Sequence, residues 1–336
     1  MHRSVSTLLI AAALSVGCSG VAPASRVSRI RQRGVLVCGV LPGIAGFTQV
    51  DREGHYTGFD VDMCRAVAAA IVGSADRIRY EPVASIDLLQ RSSDIDIVSR
   101  RLTWSLRREG MRVLFGPVTF YDGQGFLVPE RLQADHAAAL AGVPVCVAEG
   151  SEHDVTLTAY FRRHQIVLDK VRVADGSAAG RALADGRCQA FSADVSELAS
   201  VRSTMDNPRG FRILADRISR EPLAQLVRQE DVDLFNVLRW TVFAMIAAEE
   251  LGVTSANISE MAARDDPEIA RLLGVSPGNG AALGLDDAWA RHVIADVGNY
   301  GEVFERNLGM ATPIALERGL NALWTRGGLL FAPPLR

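Results

Sequence analysis

The sequence is thin in the residues that announce most kinds of chemistry. Six histidines are spread along 336 residues, and neither an HExxH nor a GxSxG pattern accompanies them, so the metalloprotease and serine-hydrolase signatures are missing. No two cysteines stand at the spacing of a metal-binding pair, which disfavours a zinc site, and no metal is expected. There is no basic excess either. The formal net charge is −3 and the isoelectric point about 6.1, with acidic and basic residues interspersed, which argues against a nucleic-acid binder. Past the N-terminal segment no stretch reaches ~18 uninterrupted apolar residues, the length a membrane span needs. No short-period repeat occurs, so a solenoid is excluded. The string "GNGAALG" at 278–284 imitates a dinucleotide fingerprint but follows Pro277 rather than a strand; it reads as a turn, and no cofactor is expected.

Composition is otherwise that of a soluble protein, 48% hydrophobic and 22% charged, with enough chain for two packed lobes. The opening "MHRSVSTLLIAAALSVGCSGVAPAS" has the parts of an export signal: Arg3, an apolar run from Val5 to Val16, and small residues at Ala22-Pro23-Ala24. It predicts a signal peptide over 1–24 and a periplasmic mature chain. A competing reading makes Gly17-Cys18 a lipoprotein site anchored at Cys18, with Ser15 where such sites usually carry leucine. Four cysteines then remain: Cys38, Cys64, Cys146 and Cys188. An even number in an exported chain favours disulfides. Of the three connectivities, Cys38–Cys64 and Cys146–Cys188 keep each bridge within one lobe; free buried thiols are the alternative.

The hydrophobic pattern alternates strands with helices. Residues 34–40, 78–83 and 94–99 read as buried strands, and "DREGHYTG" as a hairpin or loop. A helix capped by Asp60 is expected to run through Val72 to a stop at Gly73. The pattern restarts with a strand at 142–148, a helix capped by Ser151, a short helix near 178–184, and strands at 188–194 and 212–215. A long amphipathic helix runs from Asp231 to Gly252. Two similar α/β lobes with largely parallel sheets fit this order.

Chemistry concentrates where strand 94–99 ends, in "SRRLTWSLRRE" (99–109). Thr103 and Ser105 fall at a helix start with Arg108 in its first turn. Backbone N–H groups, hydroxyls and a guanidinium together suit a carboxylate; Arg107 and Arg112 read as solvated. Asp194 lies at the carboxyl edge of the second sheet, where open α/β sheets place ligand contacts. Arg108 for an α-carboxylate and Asp194 for an α-ammonium would satisfy a zwitterion whose burial unpaired costs several kcal/mol, order of magnitude. Ser151, His153 and Asp154 are hydrolase residue types but crowd one helical turn, so capping is preferred over catalysis.

Taken together, "LVCGV", "GFDVDMCRAVAAAI", "FYDGQGFLV", "GRC", "EPL", "RWTVFAMIAAEELGVT" and "GNYGEVFERN" carry a resemblance from about Gly34 to the C-terminus. The chain resembles the periplasmic general L-amino-acid-binding proteins of ABC importers, within the family 3 extracellular solute-binding proteins. The resemblance implies a two-lobed type II periplasmic-binding-protein fold, each lobe a mostly parallel sheet flanked by helices. It implies lobe 1 from 25–124 and 224–336, lobe 2 from 125–223, and hinge crossovers near 121–126 and 219–223. A monomeric receptor would close on an amino acid and dock on an inner-membrane permease coupled to a cytoplasmic ATPase. By position, Thr103 and Arg108 match the carboxylate contacts and Asp194 the ammonium contact. Gly150 and Ser151 match a loop that offers backbone N–H groups, and Phe47 and Trp104 the apolar walls.

This chain departs from the family at several of those places. Arg101 and Leu102 stand for asparagine and threonine, and "GSEHD" for a run of threonines after glycine; "AQL" near 224–226 replaces a glycine-proline-alanine type of sequence. Glu152 would bring negative charge near the carboxylate subsite unless it turns outward or pairs with Arg101. By charge, Arg101 points to acidic or amide ligands and Glu152 to basic ones. The expected function is therefore non-enzymatic capture of a polar L-amino acid. Its rivals are a cyclohexadienyl-dehydratase-like enzyme using Glu152 or His153, and a ligand sensor for a signalling partner.

Overall fold

A computed structural model of the protein describes residues 24–336, so Cys18 and all of the expected signal peptide except Ala24 lie outside the described residues. Two five-stranded sheets organise the chain. The first has the order Ile78–Pro82, Leu36–Val40, Ile97–Val98, Glu221–Arg228, Val113–Asp122. The second has the order Phe211–Ile213, Gln124–Pro129, Ala190–Asp194, Pro144–Ala148, Asp169–Val173. In each sheet a single strand runs against the rest: Glu221–Arg228 in the first and Gln124–Pro129 in the second. Each reversed strand is the one that has just arrived from the other sheet.

The outgoing and returning strands lie side by side. Val113–Asp122 pairs antiparallel with Glu221–Arg228, setting Asp122 opposite Glu221 and Tyr121 opposite Pro222. Beyond them, the N–H of Gln124 donates to Ser219 Oγ (3.0 Å) and the N–H of Ile218 to the Gln124 carbonyl (2.8 Å). Gly123 is required at this point, because a Cβ there would come within 2.7 Å of the Ser219 carbonyl oxygen.

Burial explains the continuous apolar runs. Along Leu36–Val40 every residue is buried, with Leu36, Cys38 and Val40 in one core cluster and Val37 in the cluster on the opposite face. Alternation survives, but both faces are covered by helices or loops. The second sheet repeats this, with Val145 and Val147 on one side and Cys146 on the other. Both expected bridges are present, Cys38–Cys64 tying a strand to its covering helix and Cys146–Cys188 tying strand Pro144–Ala148 to the loop that leads into Ala190–Asp194.

Several boundaries differ from expectation. Helix Phe59–Val72 is capped by Gly58 (φ 125°), not Asp60, since a side chain at 58 would strike the Phe47 carbonyl; Asp60 is buried inside the first turn. The strand expected over 94–99 shortens to Ile97–Val98, because Asp96 turns its carboxylate back to the Val37 N–H and to Arg33. Gly34 ends a helix, Arg26–Arg33, for which the hydrophobic pattern offered little. "GNGAALG" forms a one-turn helix, Asn279–Leu283, whose Gly278 and Gly280 N–H groups bond Asp287.

The long helix Val232–Glu250 and the C-terminal helices Trp289–Asp296 and Tyr300–Asn307 pack against the first lobe with Trp289 and Tyr300 fully buried. Tyr300 Oη donates to the Thr119 carbonyl (2.8 Å). The Asn321 side chain takes both backbone groups of Tyr121, accepting from its N–H at 2.6 Å and donating to its carbonyl at 3.1 Å.

The bridges close loops of 26 and 42 residues, for which chain entropy alone suggests roughly 3–4 kcal/mol each. Cys146→Ser with Cys188→Ser is expected to lower unfolding stability by about 2–4 kcal/mol in urea titrations under oxidising conditions. With dithiothreitol in the buffer, wild type should fall toward the variant; no difference between them would mean the bridge contributes nothing.

Candidate functional site

The stretch after Val98 is held by the crossover itself. The Trp104 N–H donates to the Pro222 carbonyl (2.7 Å), the Ala224 N–H donates to the Leu102 carbonyl (3.0 Å), and Thr103 bridges Leu223. Thr103 is thereby fastened to the strand returning from the other sheet. The helix expected after it is only one turn, Leu106–Glu109, and its cap Ser105 makes no side-chain capping bond. One turn carries little dipole, and the Trp104 N–H is already used. An anion here must be gripped by side chains rather than by a helix start.

Arg108 is half-buried and donates from Nη1 to the Thr103 carbonyl (2.8 Å), which folds the guanidinium back over that loop. Trp104 is 40% exposed, stacks on Phe115 and donates from Nε1 to Glu109. Arg107 is exposed, as expected. Arg101 adopts a left-handed backbone (φ 53°), a conformation that costs a residue with a Cβ roughly 1–2 kcal/mol. Its guanidinium carbon lies 5.5 Å above the Phe47 ring, and its Nη1 donates to Ser196 Oγ at 2.6 Å, beside the second sheet. Phe47 is otherwise core, set edge-on to Phe59 and Phe120.

From the second sheet come Asp194, at a strand end, and helix Glu152–Arg163. His153 Nε2 lies 3.2 Å from Asp194 Oδ1, yet that buried oxygen receives no well-aligned hydrogen bond. The Gln124 amide holds His153 by its carbonyl and Ser192 by its hydroxyl, both at 2.9 Å. Gly150 has φ 69° and is exposed. Ser151 caps its helix as expected, accepting from the Asp154 N–H, while its hydroxyl donates to the Ala148 carbonyl (2.7 Å). Glu152 is exposed, and Arg101 meets Ser196 rather than Glu152.

Three carboxylates converge on this region. Burial pushes Asp60 up to about 6 against the pull of Arg101 and hydrogen bonds from Ser99 and the Arg101 backbone. Burial and the like charge of Asp194 push Asp122 up to about 7, opposed by the N–H groups of Ser196 and Gly123 and by Arg101. Burial works to lower His153, but its contact with Asp194 and the charges of Glu197 and Glu221 outweigh that and hold it above its ordinary range.

Residues 36–257 match the bacterial extracellular solute-binding proteins, family 3. The general L-amino acid-binding periplasmic protein AapJ of Rhizobium johnstonii is 40% identical over 100% of this chain and 99% of its own. The chain belongs to family 3 of the bacterial extracellular solute-binding proteins. The glutamate/glutamine/aspartate/asparagine-binding protein BztA of Rhodobacter capsulatus is 41% identical, covering 96% of this chain and 97% of its own. Among solved structures, an ABC transporter periplasmic binding protein from Brucella ovis with glutathione bound is 38% identical. It superposes with a TM-score of 0.85 over 93% of this chain and 100% of its own. The fold is thus the two-lobed type II fold, and the chain is a solute-binding receptor rather than an enzyme. The dehydratase and hydrolase readings fall with that.

For this family 3 protein, the sequence singled out Thr103, Arg108, Asp194 and Arg101, but not the partners Asp60, Asp122 and Ser196. Asp60 looked like a cap and Asp122 like a hinge residue, and only tertiary burial marks them. His153 was weighed for catalysis; the structure sets it on Asp194.

Asp60, Asp122 and His153 all bind protons more tightly folded than unfolded, so their contribution is complete below about pH 4 and is lost as pH rises through the folded values. The ligand-free protein should therefore melt at a lower temperature at pH 8 than at pH 5. Asp122→Asn is expected to flatten that slope in differential scanning calorimetry, and an unchanged slope would show Asp122 ionised throughout.

Proposed function

We propose that the chain captures a polar L-amino acid in the periplasm between two lobes, 25–124 with 224–336 and 125–223, and hands it to an ABC permease. The observation that carries this reading is a charge complementarity left incomplete. Among the described residues the Arg108 side chain on the first lobe bonds a backbone carbonyl and forms no ion pair; on the second, Asp194 Oδ1 has His153 Nε2 at 3.2 Å but no well-aligned hydrogen bond. A buried carboxylate oxygen in that state wants a donor, and an α-ammonium supplies one. In this reading Arg108 and the Thr103 hydroxyl hold the α-carboxylate, helped by the N–H groups of Glu152 and His153, the first-turn positions that Ser151 does not cap. Asp194 takes the ammonium. Ser105, Trp104, Phe47 and Arg101 line the seat, with Glu152 at its rim.

AapJ and BztA, relatives that match over nearly their whole length and bind amino acids, support amino acids as the ligand class. Export by the 1–24 leader, a permease in the inner membrane served by a cytoplasmic ATPase, and action as a monomer belong to the same reading. Binding shifts an open–closed equilibrium, because both halves of the clamp engage the ligand only when the lobes meet.

Thermal-shift measurements across the twenty amino acids test it, since a ligand stabilises by mass action. Arg108→Ala should weaken whichever amino acid binds by about 2 kcal/mol or more, roughly thirtyfold. The melting temperature of the unliganded variant should hardly move. Equal affinities for variant and wild type in calorimetry would remove Arg108 from the clamp.

A further inference from the structure

Charge in the sequence leaves the ligand's side chain undecided, because Arg101 and Glu152 pull in opposite directions. The structure takes away the counterweight: Glu152 is exposed, while Arg101 reaches into the gap between the sheets to Ser196. Arg100, Arg101 and Arg108 leave one strand so close together that the Arg100 guanidinium is held below its usual range, first by burial and then by the charges of Arg108 and Arg101. Among the described residues, their side chains donate to the Ala84 carbonyl, the Ser196 hydroxyl and the Thr103 carbonyl, and none forms an ion pair within 4.0 Å. Guanidiniums that share this region without a close ion pair repel one another, with Asp60 offsetting part of that repulsion, and a ligand with two separated carboxylates would relieve the rest at two points.

We infer that Arg101 reads the ligand's side chain, selecting amino acids that end in a carboxylate over those that end in an amide or a cation. This rests on the amino-acid reading above, with Arg108 reserved for the α-carboxylate. Asp60 and Asp122 do not take the role of counter-ion. Each is bonded elsewhere, Asp60 by the Ser99 hydroxyl at 3.2 Å and Asp122 by the N–H groups of Gly123 and Ser196 at 2.8 and 3.3 Å. At pH 7 Asp122, pushed up to about 7, is only partly ionised, while Asp60, pushed up to about 6, is mostly ionised but buried and bonded to Ser99. They steady the guanidinium without cancelling it. The left-handed backbone at Arg101 fits the same role, since a strained residue persists where its side-chain direction matters.

Titration calorimetry of the full chain with glutamate, glutamine and arginine at pH 7, on wild type and Arg101→Gln, decides the matter. Wild type should bind glutamate about tenfold or more tightly than glutamine, and arginine most weakly, as a charge-assisted pair predicts. In Arg101→Gln the glutamate-to-glutamine ratio should collapse to within about threefold. A ratio does not depend on how much of the variant is folded. A wild-type preference for glutamine or arginine, or an acidic preference that survives in Arg101→Gln, overturns the inference while leaving amino-acid capture standing. If none of the twenty amino acids binds wild type, amino-acid capture itself has failed and this inference with it.

Discussion

The constraint on which the molecule turns is the pairing of its two crossings. The chain leaves the first sheet at Gly123 and returns to it by Glu221, and the two passages are hydrogen-bonded to each other as neighbouring strands. Whatever the second sheet does, it does about this double strap. The strap also organises the loop after Val98: Leu102, Thr103 and Trp104 are bonded to Pro222, Leu223 and Ala224, so the loop that carries the guanidiniums is anchored to the returning strand. Asp122 sits in the strap and is bonded to Ser196, the residue that Arg101 contacts. Backbone continuity and cleft chemistry therefore meet in a few residues.

Charge is distributed so that neither side of the gap is complete. The first lobe contributes guanidiniums whose bonds go to uncharged oxygens, and the second contributes a carboxylate with a vacant buried oxygen beside a histidine. Unpaired desolvated charges cost several kcal/mol, order of magnitude, and here His153 beside Asp194, and Asp60 and Asp122 near Arg101, offset part of that cost. Burial pushes the Asp60 and Asp122 carboxyls up to about 6 and about 7, so the charge around Arg101 depends on pH near neutrality.

Much of this could be read in the residues alone, for identifiable reasons. Strands buried on both faces are unbroken apolar runs, so Leu36–Val40 and Pro144–Ala148 stood out, and the spacing of the cysteines between lobes led to the bridges seen. Ser151 as a helix cap followed from side-chain chemistry that acts within three residues. What escaped was whatever depends on distant chain. Asp60 looks identical as a cap and as a buried acid until Ser99 and Arg101 are brought to it. The helix after Ser105 was expected to help bind an anion, but it is a single turn, and the Trp104 N–H before it is spent on Pro222, more than a hundred residues away. His153 had the residue type for catalysis, and only the fold reveals that its neighbour is the acid on the facing strand end.

The Asn321 amide matters beyond the fold it decorates. Val113–Asp122 is the outermost strand of its sheet, and an outer strand with free N–H and carbonyl groups is a template on which another molecule's strand can add. By taking both backbone groups of Tyr121, Asn321 imitates a further strand for one residue and closes that position, while Tyr300 occupies the Thr119 carbonyl nearby. The C-terminal segment thus works as a plug against edge-to-edge association along Val113–Asp122.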